Sequence, residues 1–165
     1  MNVLPIKRAS TLFLKAVLII IAAIIVALCI FAFPSIWKGS VTEWPRSMSV
    51  LYIGLIGIYA TVIPFWFALY QAFKLLQYID KHNAFSTLSI NALRNIKFSA
   101  ITMSVLYATA LPLAYAFADL DDAPGVVLMA TAIAGSPLIV ATFAAVLQKL
   151  VQNAIDMKSE IDLTI

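Results

Sequence analysis

Four long apolar stretches separated by short polar segments dominate the chain, at residues 16–37, 50–73, 98–118 and 126–147. None contains Asp, Glu, Lys, Arg or His. About 30 Å of hydrocarbon is crossed by a helix of roughly 20 apolar residues. Lipid offers the backbone no hydrogen-bond partner, so each stretch predicts a membrane-spanning helix. Helical spacing continues beyond three of them. After the second come Leu75, Leu76 and Ile79, with Lys74, Gln77 and Lys81 elsewhere. His82-Asn83-Ala84 reads as a turn, and Ser86 is suited to cap the next helix. Phe85 and Ile90 then have the spacing of a hydrophobic staple. Leu88, Leu93 and Ile96 are expected inward, with Arg94, Asn95 and Lys97 at the rim. After the fourth stretch, Leu147, Leu150, Val151, Ala154, Ile155 and Lys158 keep three-and-four spacing. The expected fold is an all-α, integral membrane four-helix antiparallel bundle, with helices 2, 3 and 4 extended into the cytoplasm. A hairpin over 74–97 and a tail over 148–165 form those extensions. The closing Glu160-Ile161-Asp162-Leu163-Thr164-Ile165 alternates charged and aliphatic residues; it reads as a frayed end or as a short strand that pairs with the hairpin or a partner.

Composition agrees with the pattern. Of 165 residues, 63% are hydrophobic and 12% charged, with mean hydropathy +0.99. Soluble domains sit near 45–50% apolar and about 25% charged. Disorder, a collagen-like chain and an ordinary soluble enzyme domain are thereby excluded, and the length suits one domain over 1–165. Basic residues then orient the spans. Lys7, Arg8, Lys15, Lys74, Lys81, Arg94, Lys97, Lys149 and Lys158 fall on one side, and only Lys38 and Arg46 on the other. This asymmetry predicts that both termini are cytoplasmic. Trp37, Trp44, Tyr52 and Tyr115 would lie near the outer interface, and Tyr70 and Tyr78 toward the inner one. The first stretch exceeds the 7–15 apolar residues of a signal core, and no convincing cleavage site follows, so it reads as a span.

Helices associate in lipid by close packing, which small residues permit. Candidate rows are Gly57, Thr61, Pro64, Ala68 and Ala72; Ala100, Ser104, Ala108, Pro112 and Ala116; and Ala130, Ala134, Ala141 and Ala145. They are read as bundle seams, and a homo-oligomer face is the alternative. Pro64, Pro112 and Pro137 fit ordinary membrane helices, whose neighbours stabilise freed carbonyls.

Few residues suggest chemistry. An ionisable side chain inside the membrane would mark an ion path, and the stretches hold none. Ser99, Thr102 and Thr109 share a polar face that would suit a passive pore, although such hydroxyls commonly bond to their own helix. Asp119, Asp121 and Asp122 form a dense acidic turn, shorter than a calcium-binding loop requires. His82 has no second His or Cys beside it to build a metal or catalytic group, and Cys29 reads as a packing residue. No P-loop, nucleophile elbow or dinucleotide fingerprint occurs. The expectation is therefore no enzyme, no cofactor, no metal site and no direct nucleic-acid binding. Dispersed basic residues suit anionic lipid instead.

Several motifs resemble one family. They are the basic start Lys7-Arg8-Ala9-Ser10-Thr11-Leu12-Phe13-Leu14-Lys15, the Phe33-Pro34-Ser35 exit, Asn83-Ala84-Phe85-Ser86, and the closing Glu160-Ile161-Asp162-Leu163-Thr164-Ile165. Together these resemble domain-of-unknown-function family 2975, small four-helix bacterial membrane proteins. Ile161 stands where the family's usual closing motif has Asn. Members are frequently encoded beside a Cro-type helix-turn-helix regulator, so the resemblance implies a regulatory pairing and no catalytic residue. The expected function is a membrane module that docks such a regulator, with Phe85, Ser86, Arg94, Ile161, Asp162 and Leu163 as candidate docking residues. The alternative is an oligomeric small-solute channel or transporter component.

Overall fold

A computed structural model describes residues 4–32, 34, 35, 38, 48–81, 83–120 and 122–163. Phe33, Trp37, Trp44, Arg46, His82, Asp121, Thr164 and Ile165 lie outside the described residues. The helices are α1 (Leu4–Ala27), α2 (Met48–Asp80), α3 (Thr87–Leu120) and α4 (Gly125–Leu163), with a π-helical turn at Leu28–Ala32 continuing α1. All four are long and apolar enough to span a bilayer. At 1.5 Å per residue, the 33 residues of α2 extend about 50 Å and the 39 of α4 about 58 Å. Both exceed the hydrocarbon thickness, so the lysine-rich ends stand clear of it.

The helices pack in chain order. α3 lies between α2 and α4, while α1 packs on α2. Small side chains make the α3–α4 seam. Ala100, Ser104, Ala134, Pro137, Ala141 and Ala144 are buried there or beside it. Ser104 Oγ donates to the Ala134 carbonyl across that seam, at 2.7 Å. On the other side of α3, Tyr107 OH donates to Thr61 Oγ1 of α2 at 3.2 Å. Thr61 is almost fully buried, and its hydroxyl donates to the Ile58 carbonyl at 2.7 Å.

The expected α3 row turns outward along its length, and the α4 row is only partly buried. Ala108 and Pro112 of α3 are exposed, while in α4 Ala130 and Ala145 are only half-buried and Ala144 takes the buried place. A strict four-residue row advances 40° too far at each step of a 3.6-residue helix. The inward positions of α4 instead run Ala134, Pro137, Ala141, Ala144, Gln148, Val151 and Ile155, alternating three and four. The α2 row stays inward, from Gly57 to Ala72. Gly57 nevertheless makes no close approach, since a Cβ there would meet nothing within 4 Å.

α1 is attached by fewer contacts. Its π turn precedes Pro34, which has no N–H, so the carbonyl five residues earlier has no π-helical donor. That carbonyl belongs to Cys29, and Tyr59 OH of α2 donates to it at 3.2 Å. At the basic end Lys15 pairs with Asp80 and lies 5.9 Å from the Phe73 ring centroid. Both charged side chains are partly exposed, and such a pair contributes about 0–1 kcal/mol.

The α3–α4 turn closes on a left-handed residue. Asp122 has φ 52°, and Ala123 N–H donates to the Ala118 carbonyl at 2.9 Å, the long bond of a Schellman cap. Glycine is usual at this position, and Asp tolerates it better than most residues.

Two predictions follow from these seams. Ser104→Ala should destabilise the chain by about 1 kcal/mol, in the range measured for interhelical hydrogen bonds in membranes, whereas Gly57→Ala should be neutral or stabilising by up to about 1 kcal/mol. Reversible unfolding in mixed micelles measures both. At the turn, Asp122→Gly should hold or raise the melting temperature, and Asp122→Val should cost about 1–2 kcal/mol because a β-branched side chain resists φ above zero.

Candidate functional site

The basic end carries the features that packing does not use. Ser86 caps α3 as its sequence suggests: its Oγ accepts the Ser89 N–H at 3.4 Å and donates to the Asn83 carbonyl at 2.8 Å. Ser89 Oγ donates to that same carbonyl at 3.1 Å, and Ser89 is fully buried. The Ser86 hydroxyl is thereby engaged in holding the turn. Phe85 is 66% exposed, so most of its ring lies outside any staple with Ile90. Leu88, expected inward, is half exposed. The inward face of α3 passes instead through Ser89, Ala92 and Leu93, which turns Leu88 to the side. Arg94 is exposed on the same helix.

The closing segment is helical through Leu163 and is not a strand. Leu150, Ala154, Met157 and Ile161 repeat at four-three-four spacing along the α4 extension. Leu150, Met157 and Ile161 are about 60% exposed, and Leu163 is 88% exposed. Val151 and Ile155 lie on the inward side, polar residues border the row, and Gln152 Nε2 donates to Asp156 Oδ1 at 3.0 Å. Every described residue from 156 to 163 is exposed. The Ser104–Ala134 bond fixes the register of the antiparallel pair, which sets the start of α3 level with residue 151. Ile161, Asp162 and Leu163 therefore stand about 12–15 Å beyond Phe85 along the helix direction. The structure keeps Phe85 and Ser86 together at the hairpin tip and places the α4 candidates on a separate projection.

Within the spans, the expected polar face is spent locally. Ser99, Thr102 and Thr109 donate to the carbonyls of Asn95, Phe98 and Leu106 at 2.8–2.9 Å. Gln71 escaped the sequence reading, although it is the lone carboxamide in the four apolar stretches. It is 8% exposed and makes no hydrogen bond to any described residue. An unpaired buried amide costs about 1–3 kcal/mol. Among the described residues no group of three or more His, Cys, Asp or Glu could hold a metal ion. The surfaces on offer suit binding: exposed aliphatic and aromatic side chains bordered by charge.

Comparison with known proteins supports the same class. Residues 37–165 match the model of a family described as protein of unknown function DUF2975. The match takes in α2, α3 and α4 and leaves α1 outside. A relative from Bacillus subtilis (strain 168), named uncharacterized membrane protein YoaS, is 50% identical over 159 residues, covering 96% of this chain and 99% of that protein. No solved structure matches. With four membrane-length helices, a family match over more than three quarters of its length and a half-identical membrane relative, the chain belongs to the DUF2975 family of membrane proteins.

Proposed function

We propose that this protein is a non-enzymatic membrane module, one four-span unit over 1–165, that docks a small helix-turn-helix regulator at the cytoplasmic face. The observation that carries this reading is the α4 extension. It leaves the span as a helix and exposes Leu150, Met157, Ile161 and Leu163 where lipid no longer covers them. Exposed apolar rows rimmed by charge mark interaction sites. An amphipathic helix with anchors at such spacing fits a groove on a partner. Phe85, Leu88 and Arg94 offer a second patch at the hairpin. The basic residues, nine on this side against two on the other, support a cytoplasmic location for both termini. The family resemblance supplies the class of partner. An oligomeric channel draws less support, because the hydroxyls that would line a pore already donate to their own helices.

Topology is the first test. Alkaline phosphatase fused after residue 163 should be inactive in cells, and the same reporter fused at residue 122 should be active; the reverse pattern would overturn the orientation. Docking is the second. A helix-turn-helix protein should be captured by chemical cross-linking on intact membranes, and Ile161→Asp with Leu163→Asp should cut its yield by about tenfold, corresponding to about 1.4 kcal/mol. Capture of no such protein, or equal capture by the double variant, would sink the docking role.

A further inference from the structure

The four helices do not close into a ring. Among the described residues, no Cα of α1 comes within 8 Å of α3 or α4, and no Cα of α2 comes within 8 Å of α4. The row curls nonetheless, because all four helices line one cleft of about 240 Å³. Its walls include Cys29 of the π turn, Thr61 and Phe65 of α2, Tyr107 of α3, and Ile133 and Ser136 of α4. Thr61 lies nine residues from the start of its candidate span at Tyr52, and Ser136 eleven from Gly125. These separations correspond to about 14 and 16 Å of helix, half the hydrocarbon thickness. The cleft therefore sits at mid-membrane.

The protons of the wall identify what it can take. Tyr107 OH donates to Thr61, Thr61 to the Ile58 carbonyl, and Ser136 to the Ile133 carbonyl at 2.9 Å. Each hydroxyl hydrogen is already committed. What remains is oxygen lone pairs and the Cys29 thiol, a weak donor. An anion or a carbonyl compound needs donors, and the wall has no strong donor to spare. The other lining residues are mainly aliphatic and aromatic, among them Ile25, Leu28, Val62 and Met103. An apolar cavity of about 150 Å³ already accepts benzene, so this one has room for a run of methylenes. The missing contact between α1 and α4 leaves a lateral way in from the bilayer. We infer that this cleft is a binding site for one acyl chain of a membrane lipid, entering between α1 and α4. The site is independent of the docking role proposed above.

Photolabelling tests it. The full chain is reconstituted in phosphatidylglycerol nanodiscs that contain a trace of the same lipid with a diazirine at mid-chain. After irradiation, peptide mass spectrometry maps the adducts. Adducts should concentrate on the cleft residues, about tenfold above those around Leu128, which faces outward at 76% exposure. Ile133→Trp and Ser136→Trp fill the cleft from positions that are already exposed, so neither disturbs the buried seam. Each should remove most cleft adducts and leave those at Leu128 unchanged. Uniform labelling of the wild-type chain would overturn the inference, and so would cleft labelling that survives both variants. A dimer whose cleft is cross-linked to a second copy in place of lipid would also overturn it.

Discussion

Hydrocarbon cannot hydrogen-bond a peptide group, and this one constraint shapes the molecule. It forces each apolar stretch into a helix and removes the ordinary hydrophobic drive for helices to meet. What remains is close contact between small side chains and a few polar links. α3 gathers both kinds. It presents Ala100 and Ser104 toward α4 and Tyr107 toward α2, and its links end on a carbonyl of one neighbour and a hydroxyl of the other. α1 receives less. One tyrosine reaches the carbonyl left without a donor by Pro34, and one partly exposed ion pair closes the basic end. The weaker hold on α1 and the open side of the bundle are the same fact.

The gross architecture was legible because composition leaves the chain little choice. Four uncharged apolar stretches, a Ser86 cap and the turn around Asn83 all lie where hydropathy and turn chemistry put them. The facing residues were harder. A four-residue row of small residues reads as a seam, but helix pitch carries it around the cylinder, which is why Ala108 and Pro112 end outward. Leu88 is expected inward because it is apolar, yet the buried place belongs to Ser89, whose hydroxyl has a carbonyl to bond. The closing segment reads as a frayed end or, by its alternation, as a short strand. Its helix is instead continuous with α4, and once a helix is nucleated, each further residue adds a hydrogen bond. No linear pattern contains the mid-membrane cleft, which exists only because four helices curl without closing.

The molecule divides its work by depth. Inside the bilayer, hydroxyl protons are committed and charge is absent, so the spans suit packing and apolar ligands. Beyond it, α4 continues with aliphatic residues exposed and lysines and carboxylates beside them. The α2–α3 hairpin has the reverse economy at its tip, where Ser86 and Ser89 are bound into the turn and Phe85 is left outward. The proposed docking outside the membrane and the inferred lipid site within it therefore rest on different residues, which can be altered separately.

Disulfide trapping in lipid bilayers tests the packing order most directly. Cysteines placed at Ser104 and Ala134, in a chain with Cys29→Ser, should be joined rapidly by a mild oxidant, because the serine hydroxyl and the alanine carbonyl lie 2.7 Å apart. Native Cys29 paired with Ile133→Cys faces it across the open cleft and should require a longer bifunctional reagent. Direct oxidation of the second pair as fast as the first would mean that α1 and α4 close on each other, and the account of an open, α3-centred bundle would be wrong.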